Sequence, residues 1–276
     1  MNELPDLLKT LHFKYVEPQL ANLMEEARIH SLTYDAFLRR VLSLEVEART
    51  QTAHQNRRKA AHLPVSKTLE AFDFSFQPSI NERLVCELAD LSFVRTHSNM
   101  VFLGPPGVGK THLALSLAGK ALDAGYSVFF STLTDLVEDL EQASQQHALK
   151  ARLRRYITPQ VLVIDEIGYT NLSALQANQL FDLVRERYEQ GATILTSNTS
   201  FAQWGKLMND EVLATALLDR LLHHAEVMTT KAISRTVNQS RCQPKPQSCR
   251  MQQRKHSWCY PLTRSTAKAL PSSLVE

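Results

Sequence analysis

Val101-Phe102-Leu103-Gly104-Pro105-Pro106-Gly107-Val108-Gly109-Lys110-Thr111-His112 is the stretch on which the reading of this chain turns. A short apolar run ends at Leu103, three glycines and two prolines follow within six residues, and Lys-Thr opens a helical pattern. The spacing Gly104-x4-Gly109-Lys110-Thr111 has a mechanism when it lies between a strand and a helix, as it does here. Glycines let successive backbone N–H groups turn toward one anion, and the N-terminus of the following helix adds its dipole. Lys110 is suited to neutralising β- and γ-phosphate charge, and Thr111 offers a hydroxyl to Mg2+. Gly104, Pro105, Pro106, Gly107, Val108, Gly109, Lys110 and Thr111 are therefore the candidate nucleotide-binding residues. A chance Gly/Pro turn would lack the flanking apolar runs.

Working outward, short apolar runs alternate with amphipathic helices. Strands are expected over residues 99–103, 127–131, 161–164 and 193–196. Helices are expected over 112–124, 134–143, 148–156, 175–190 and 211–222. Runs this apolar fit strands buried on both faces, so the βαβ alternation implies an α/β fold, a parallel sheet flanked by helices. All eight glycines fall between Gly104 and Gly205. Residues 1–65 have none and repeat apolar residues at helical spacing (Leu7, Leu8 and Leu11; Phe37, Leu38, Val41 and Leu42), which predicts a small all-helical N-terminal domain. Thr33 or Ser31 is expected to cap one of its helices. Residues 66–98 read as a linker and lead-in, the segment from about Pro64 to Pro78 (PVSKTLEAFDFSFQP) holding a short extended piece, ahead of a core at 99–230.

Two further strand ends carry chemistry. Val161-Leu162-Val163-Ile164 runs into Asp165 and Glu166. A carboxylate ending a buried strand beside a phosphate loop can hold Mg2+, which assigns Asp165, and Glu166 can polarise an attacking water. Asn198 closes Thr196-Ser197-Asn198 and either orients that water or simply forms a turn. Arg220, in Leu217-Leu218-Asp219-Arg220-Leu221, either makes an intrahelical ion pair or reaches a neighbouring subunit's nucleotide to stabilise transition-state charge.

Together GPPGVGKTHLA, VLVIDEIGY, LFDLVRERYEQGATILTSN and LLDRLLHHAEV resemble an AAA+ P-loop NTPase of the DnaA/DnaC clade. The nearest likeness is to IstB-like ATP-binding proteins, the helper ATPases that insertion sequences encode beside their transposase. The resemblance spans about residues 4–230. It implies Walker A at Gly104–Thr111, Walker B at Asp165 and Glu166, sensor 1 at Asn198 and an arginine finger at Arg220. It further implies ATP and Mg2+ as cofactors, double-stranded DNA and a cognate transposase as partners, and self-association into an ATP-dependent oligomer. Members continue from the HHAEV strand into a Gly-x-Ser-Tyr/Phe-Arg segment; here MTTKAISRTVNQS follows, with Arg235 only near the place of the sensor 2 arginine.

Charge and cysteines shift at the same point. From Lys231 onward nine Lys or Arg face a single acid, Glu276, a local charge of +8, which leaves −5 for the rest of a chain whose net charge is +3. A basic pI therefore says nothing about the body, and any nucleic-acid argument rests on local patches. Arg57, Arg58 and Lys59 form one such patch and Arg154 with Arg155 another; a run of this kind is either a solvated helix face or a DNA contact. The stretch 231–276 has no apolar periodicity and reads as disordered, either a frame-shifted end or a basic DNA-binding arm. Cys242, Cys249, His256 and Cys259 lie there without the paired C-x2-C knuckle of a zinc site. The amino terminus carries acids and no long apolar run, so a cytoplasmic location is expected. No stretch approaches the roughly 18 apolar residues of a membrane span.

Three functions compete on these residues. The resemblance favours an ATP-driven transposition helper acting on DNA. A DnaC-like helicase loader shares the ATPase core and differs in the first 65 or so residues. A small-molecule kinase would need an acceptor pocket, and would not need Glu166, Asn198 and Arg220 together.

Overall fold

A computed structural model of the protein describes residues 3–75 and 77–230. In chain order its elements are α1 (Glu3–Thr10), α2 (Leu20–Ile29), α3 (Tyr34–Ala60), α4 (Glu82–Leu88), α5 (Ser92–Arg95) and β1 (Asn99–Leu103). Then follow α6 (Lys110–Asp123), β2 (Val128–Thr132), α7 (Leu133–Gln145), α8 (Leu149–Ile157) and β3 (Val161–Ile167). The remainder is α9 (Ala174–Arg187), β4 (Ala192–Ser197), α10 (Trp204–Met208), α11 (Glu211–Leu222) and β5 (Ala225–Thr229). The expected strands and helices of the core are all present, and α4, α5 and α10 are short helices that their weak periodicity did not announce. The readings made of residues 231–276, with Arg235 and the cysteines, lie outside the described residues.

The strands form a parallel sheet in the order β2-β3-β4-β1-β5. Alternate residues feed opposite cores, because successive side chains on a strand point to opposite faces. Met100, Phe102, Val161 and Val163 join α4, α5 and α6 on one side. Val101, Leu103, Leu162 and Ile164 join α7, α9, α10 and α11 on the other. Both faces are thus covered, which is why these strands are apolar throughout instead of alternating. Phe102 is fully buried, so Phe102→Ala would cost about 3–5 kcal/mol.

Thr33, not Ser31, caps α3: its Oγ1 accepts from Ala36 N at 3.3 Å. In the N-terminal helices Leu8, Val16, Leu23 and Val41 form a small core, while Leu7, Leu11, Leu38 and Leu42 stay exposed although they share the helical spacing. Glu45 ties this region together. Its buried carboxylate accepts from the backbone N–H groups of Lys14 (3.1 Å), Tyr15 (2.9 Å) and Val16 (3.1 Å), and from Arg49 Nε (2.7 Å). The other end of α3 reaches the sheet: Phe130 N on β2 donates to Ala61 O at 2.9 Å, and Ala61 is buried among the residues facing α6.

The described residues of 66–80 contain no strand, contrary to the extended piece expected in this region; they include successive turns, with Phe72 N donating to Leu69 O at 3.1 Å and Ile80 N to Gln77 O at 3.0 Å. The reason is that Leu69, Phe72 and Ile80 all have to reach one core, which turns achieve and a two-faced strand does not. Arg187 is a second feature the sequence hid. Its guanidinium is buried on the carbonyls of Tyr156 (2.9 Å), Ile157 (2.9 Å), Pro159 (2.8 Å) and Ala192 (2.6 Å), and burial brings its pKa down to about 10.

Candidate nucleotide site

The site lies at the carboxyl ends of β1, β3 and β4, where open parallel sheets hold their ligands. The chain leaves β1 at Leu103 and enters α6 at Lys110 through a loop whose last residue, Gly109, sits at φ +92°. A Cβ at Gly109 would approach Phe72 Cε2 to 2.6 Å, so glycine is required by backbone angle and by space together. α7, α9 and α11 are capped by side chains of Thr132, Ser173 and Asp210, but α6 has no side-chain cap. Its first N–H groups are therefore left for an anion.

Lys110 is buried, and Nζ donates to Pro105 O at 2.8 Å. Burial pushes the ammonium below the ordinary lysine value, while the charge of Asp165 acts in the opposite direction. Thr111 Oγ1 donates to Asp165 Oδ1 at 2.9 Å, which brings the start of α6 against the end of β3. Asp165 is buried and Glu166, the next residue, is exposed with φ +65°. Asn198 follows β4, and its Oδ1 is buried without a hydrogen-bond partner.

Most of these groups meet at one cleft of about 370 Å³, lined by Pro106, Gly107, Gly109, Lys110 and Thr111 together with Glu166, Tyr169, Thr196 and Asn198. Gly104, Pro105, Val108 and Asp165 are not in its lining, and Asp165 touches it through Thr111 and Thr196. Thr196 and Tyr169 are the lining residues that sequence reasoning did not assign. Both lay inside motifs already singled out, TSN and IDEIGY, but nothing in residue type marked them. A triphosphate with Mg2+ fits the donor set. A buried lysine and uncapped N–H groups suit phosphate, a hydroxyl and a carboxylate sharing one hydrogen bond are hard oxygen donors of the kind Mg2+ takes, and Asn198 Oδ1 lacks a partner.

Arg220 does not line this cleft. Its guanidinium lies over the Phe181 ring, 4.8 Å from the centroid, and Nη1 donates to Ala216 O at 3.1 Å. Among the described residues it makes no ion pair, so the intrahelical-pair reading does not hold.

The second basic patch of the sequence approaches the end of α3 through Arg155. Arg155 Nη2 lies 3.3 Å from His62 Nε2, just beyond the end of α3, and its guanidinium stacks over Phe129 at 4.8 Å. Arg58 donates to Ser66 Oγ at 3.0 Å and lies 3.8 Å from Asp123; Lys59 and Arg154 are exposed, and Arg57 is half-buried.

The family model described as IstB-like ATP binding protein matches residues 6–243. A relative from Geobacillus stearothermophilus, named for ATP binding in insertion sequence IS5376, is 42% identical over 86% of this chain and 94% of its own. One from Pseudomonas aeruginosa, named for ATP binding in IS21, is 44% identical over 87% of this chain and 91% of its own. Among solved structures, replication initiator DnaA bound to AMPPCP and single-stranded DNA overlays with a TM-score of 0.53, at 17% identity, over 62% of this chain and 52% of that one. DnaI overlays with a TM-score of 0.51, at 19% identity, over 63% and 93%. The fold is that of an AAA+ P-loop domain preceded by helices, and the chain belongs to the IstB-like ATP-binding protein family.

Proposed function

We propose that this protein is an ATPase that assembles on duplex DNA as an oligomer and recruits or stimulates the transposase of an insertion sequence. The hydrogen bond between Thr111 and Asp165 carries the reading, because it joins the end of the phosphate loop, which lines the cleft, to the end of β3. ATP lies with its β- and γ-phosphates against Lys110 and the free N–H groups of α6. Thr111 and Asp165 hold Mg2+, which when bound neutralises phosphate charge. Glu166 accepts the proton of the attacking water, and Asn198 Oδ1 accepts a hydrogen bond from the same water.

Arg220, which does not line its own cleft, serves the γ-phosphate of a neighbouring subunit, so the site is complete only in the oligomer. Hydrolysis then loosens the assembly, and the nucleotide times how long it stays on DNA. The basic residues Arg57, Arg58, Lys59, Arg154 and Arg155 support contact with DNA phosphates, which position without reading sequence. Residues 1–65 form the DNA- or partner-binding module, 66–98 the lead-in and 99–230 the ATPase core, acting in the cytoplasm. The names of the relatives support the insertion-sequence context.

Imaging the purified protein on duplex DNA with ATP or ADP tests the reading. Rings or filaments that form with ATP and dissolve with ADP are expected. A protein that neither hydrolyses ATP nor assembles on DNA in its presence would overturn it.

A further inference from the structure

β3 and β4 pair in step from Val161↔Ala192 to Ile164↔Leu195, then resume at Ile167↔Ser197. Asp165 and Glu166 therefore stand opposite the single residue Thr196, which is a β-bulge. A bulge leaves its extra residue without a ladder partner and re-aims the side chains beside it. Here it takes Glu166 to φ +65°, a left-handed conformation that is strained for any residue but glycine. Something must hold that strain in place.

The Thr196 hydroxyl makes the replacement contacts. Its Oγ1 accepts from Glu166 N at 3.1 Å and donates to Asp165 Oδ1, the same oxygen that receives Thr111. Thr196 is 1% exposed, so no water competes for either bond. A hydroxyl that accepts from one group and donates to the next is strengthened by both, most of all where water is excluded. Valine would fill the same volume and do neither.

We infer that Thr196 is a positioning residue for ATP hydrolysis: one side chain pins the bulge that sets both Asp165 and Glu166. The inference rests on the ATPase reading above. It differs from a plain packing role, which would make Thr196 matter for stability and nothing else. It also predicts that metal affinity and turnover move together when the hydroxyl is lost, because both carboxylates hang on it.

The test uses the full chain as wild type, Thr196→Val and Thr196→Ser. Each is measured in steady-state ATP hydrolysis and by titration with a fluorescent non-hydrolysable ATP analogue, in EDTA and in Mg2+. Thr196→Val should lower kcat roughly 10- to 100-fold, the usual cost of losing a partner of a metal-holding group, with a smaller change in KM. Its affinity for the analogue in EDTA should match wild type, while the gain on adding Mg2+ shrinks. Thr196→Ser, which keeps the hydroxyl, should recover most of both. Should Thr196→Val fail to fold, Thr196→Ala carries the same comparison without pressing a methyl group on the carboxylate. Wild-type kcat and Mg2+ gain in the hydroxyl-free variant would overturn the inference, as would a Thr196→Ser as deficient as Thr196→Val. Absence of turnover in the wild type itself would instead overturn the ATPase reading, and this inference with it.

Discussion

Thr111 Oγ1 and Asp165 Oδ1 meet at 2.9 Å across 54 residues of sequence, hydroxyl to carboxylate, with Thr111 in the wall of the cleft and Asp165 behind it. The bond puts two oxygen donors side by side before any ligand arrives, so little has to be reorganised when phosphate and metal enter. Nucleotide affinity then depends mainly on the cation beside them, Lys110.

Lys110→Ala should weaken ATP binding by about 10- to 100-fold, the 1.5–3 kcal/mol typical of a hydrogen bond to a charged group. Titration with a fluorescent ATP analogue checks this. The fold should survive, since among the described residues Nζ makes only the hydrogen bond to Pro105 O.

Glu166→Gln should bind the analogue as wild type does and hydrolyse ATP about 10²- to 10⁴-fold more slowly, because an amide cannot take the proton of water. The variant should accumulate on DNA in the ATP-bound assembly, visible as slower dissociation after dilution. Unchanged turnover would remove Glu166 from the role of base.

Arg220→Ala should keep analogue affinity and lose DNA-stimulated turnover, on the order of 10³-fold if it behaves as an arginine finger. Mixed with Lys110→Ala subunits it should regain part of that activity. The Arg220→Ala subunit has an intact cleft, and its neighbour supplies the arginine. No recovery despite confirmed co-assembly means that Arg220 acts in cis or only packs on Phe181.

Glu45 makes the N-terminal helices sensitive to acid. Burial alone would raise its pKa, but hydrogen bonds from Arg49 and from the N–H groups of Tyr15 and Val16 outweigh it and hold the carboxyl below the ordinary value. A depressed folded pKa gives stability that is present above the unfolded value and disappears as pH falls through the folded one. The helical region should therefore loosen at acidic pH, with neutral pH the stable side. Glu45→Ala should cost about 2–4 kcal/mol at neutral pH by stranding buried N–H groups, and should flatten the acid dependence; melts followed by circular dichroism read both.

The sheet, its helices and the phosphate loop were legible because each rests on local pattern: apolar runs for β1 and β3, and glycine spacing for the loop from Gly104 to Gly109. Asp165 and Glu166 were legible as types at a strand end. The bulge was not, since it arises from pairing with β4, thirty residues on, and no residue of Val161–Ile167 announces it. Thr196 was read as ordinary strand for the same reason. Nothing in the sequence singled out Arg187, whereas five acceptors from two segments, 156–159 and 192–193, surround it. Exposed Leu38 and Leu42 show the converse: spacing identifies a helix and says little about which of its faces is covered.

The joint between Ala61 and Phe130 gives α3 the character of a lever. A helix of 27 residues is about 40 Å long at 1.5 Å per residue, and this one is fastened near one end to the outer strand of the sheet. A tilt of about 10° at the joint moves the far end by about 7 Å on that length. Read in reverse, a load on the distant helices arrives at β2 as a small displacement with large mechanical advantage. β2 pairs directly with β3, Thr132 opposite Asp165, so the first thing such a force meets inside the sheet is the strand that carries the two carboxylates.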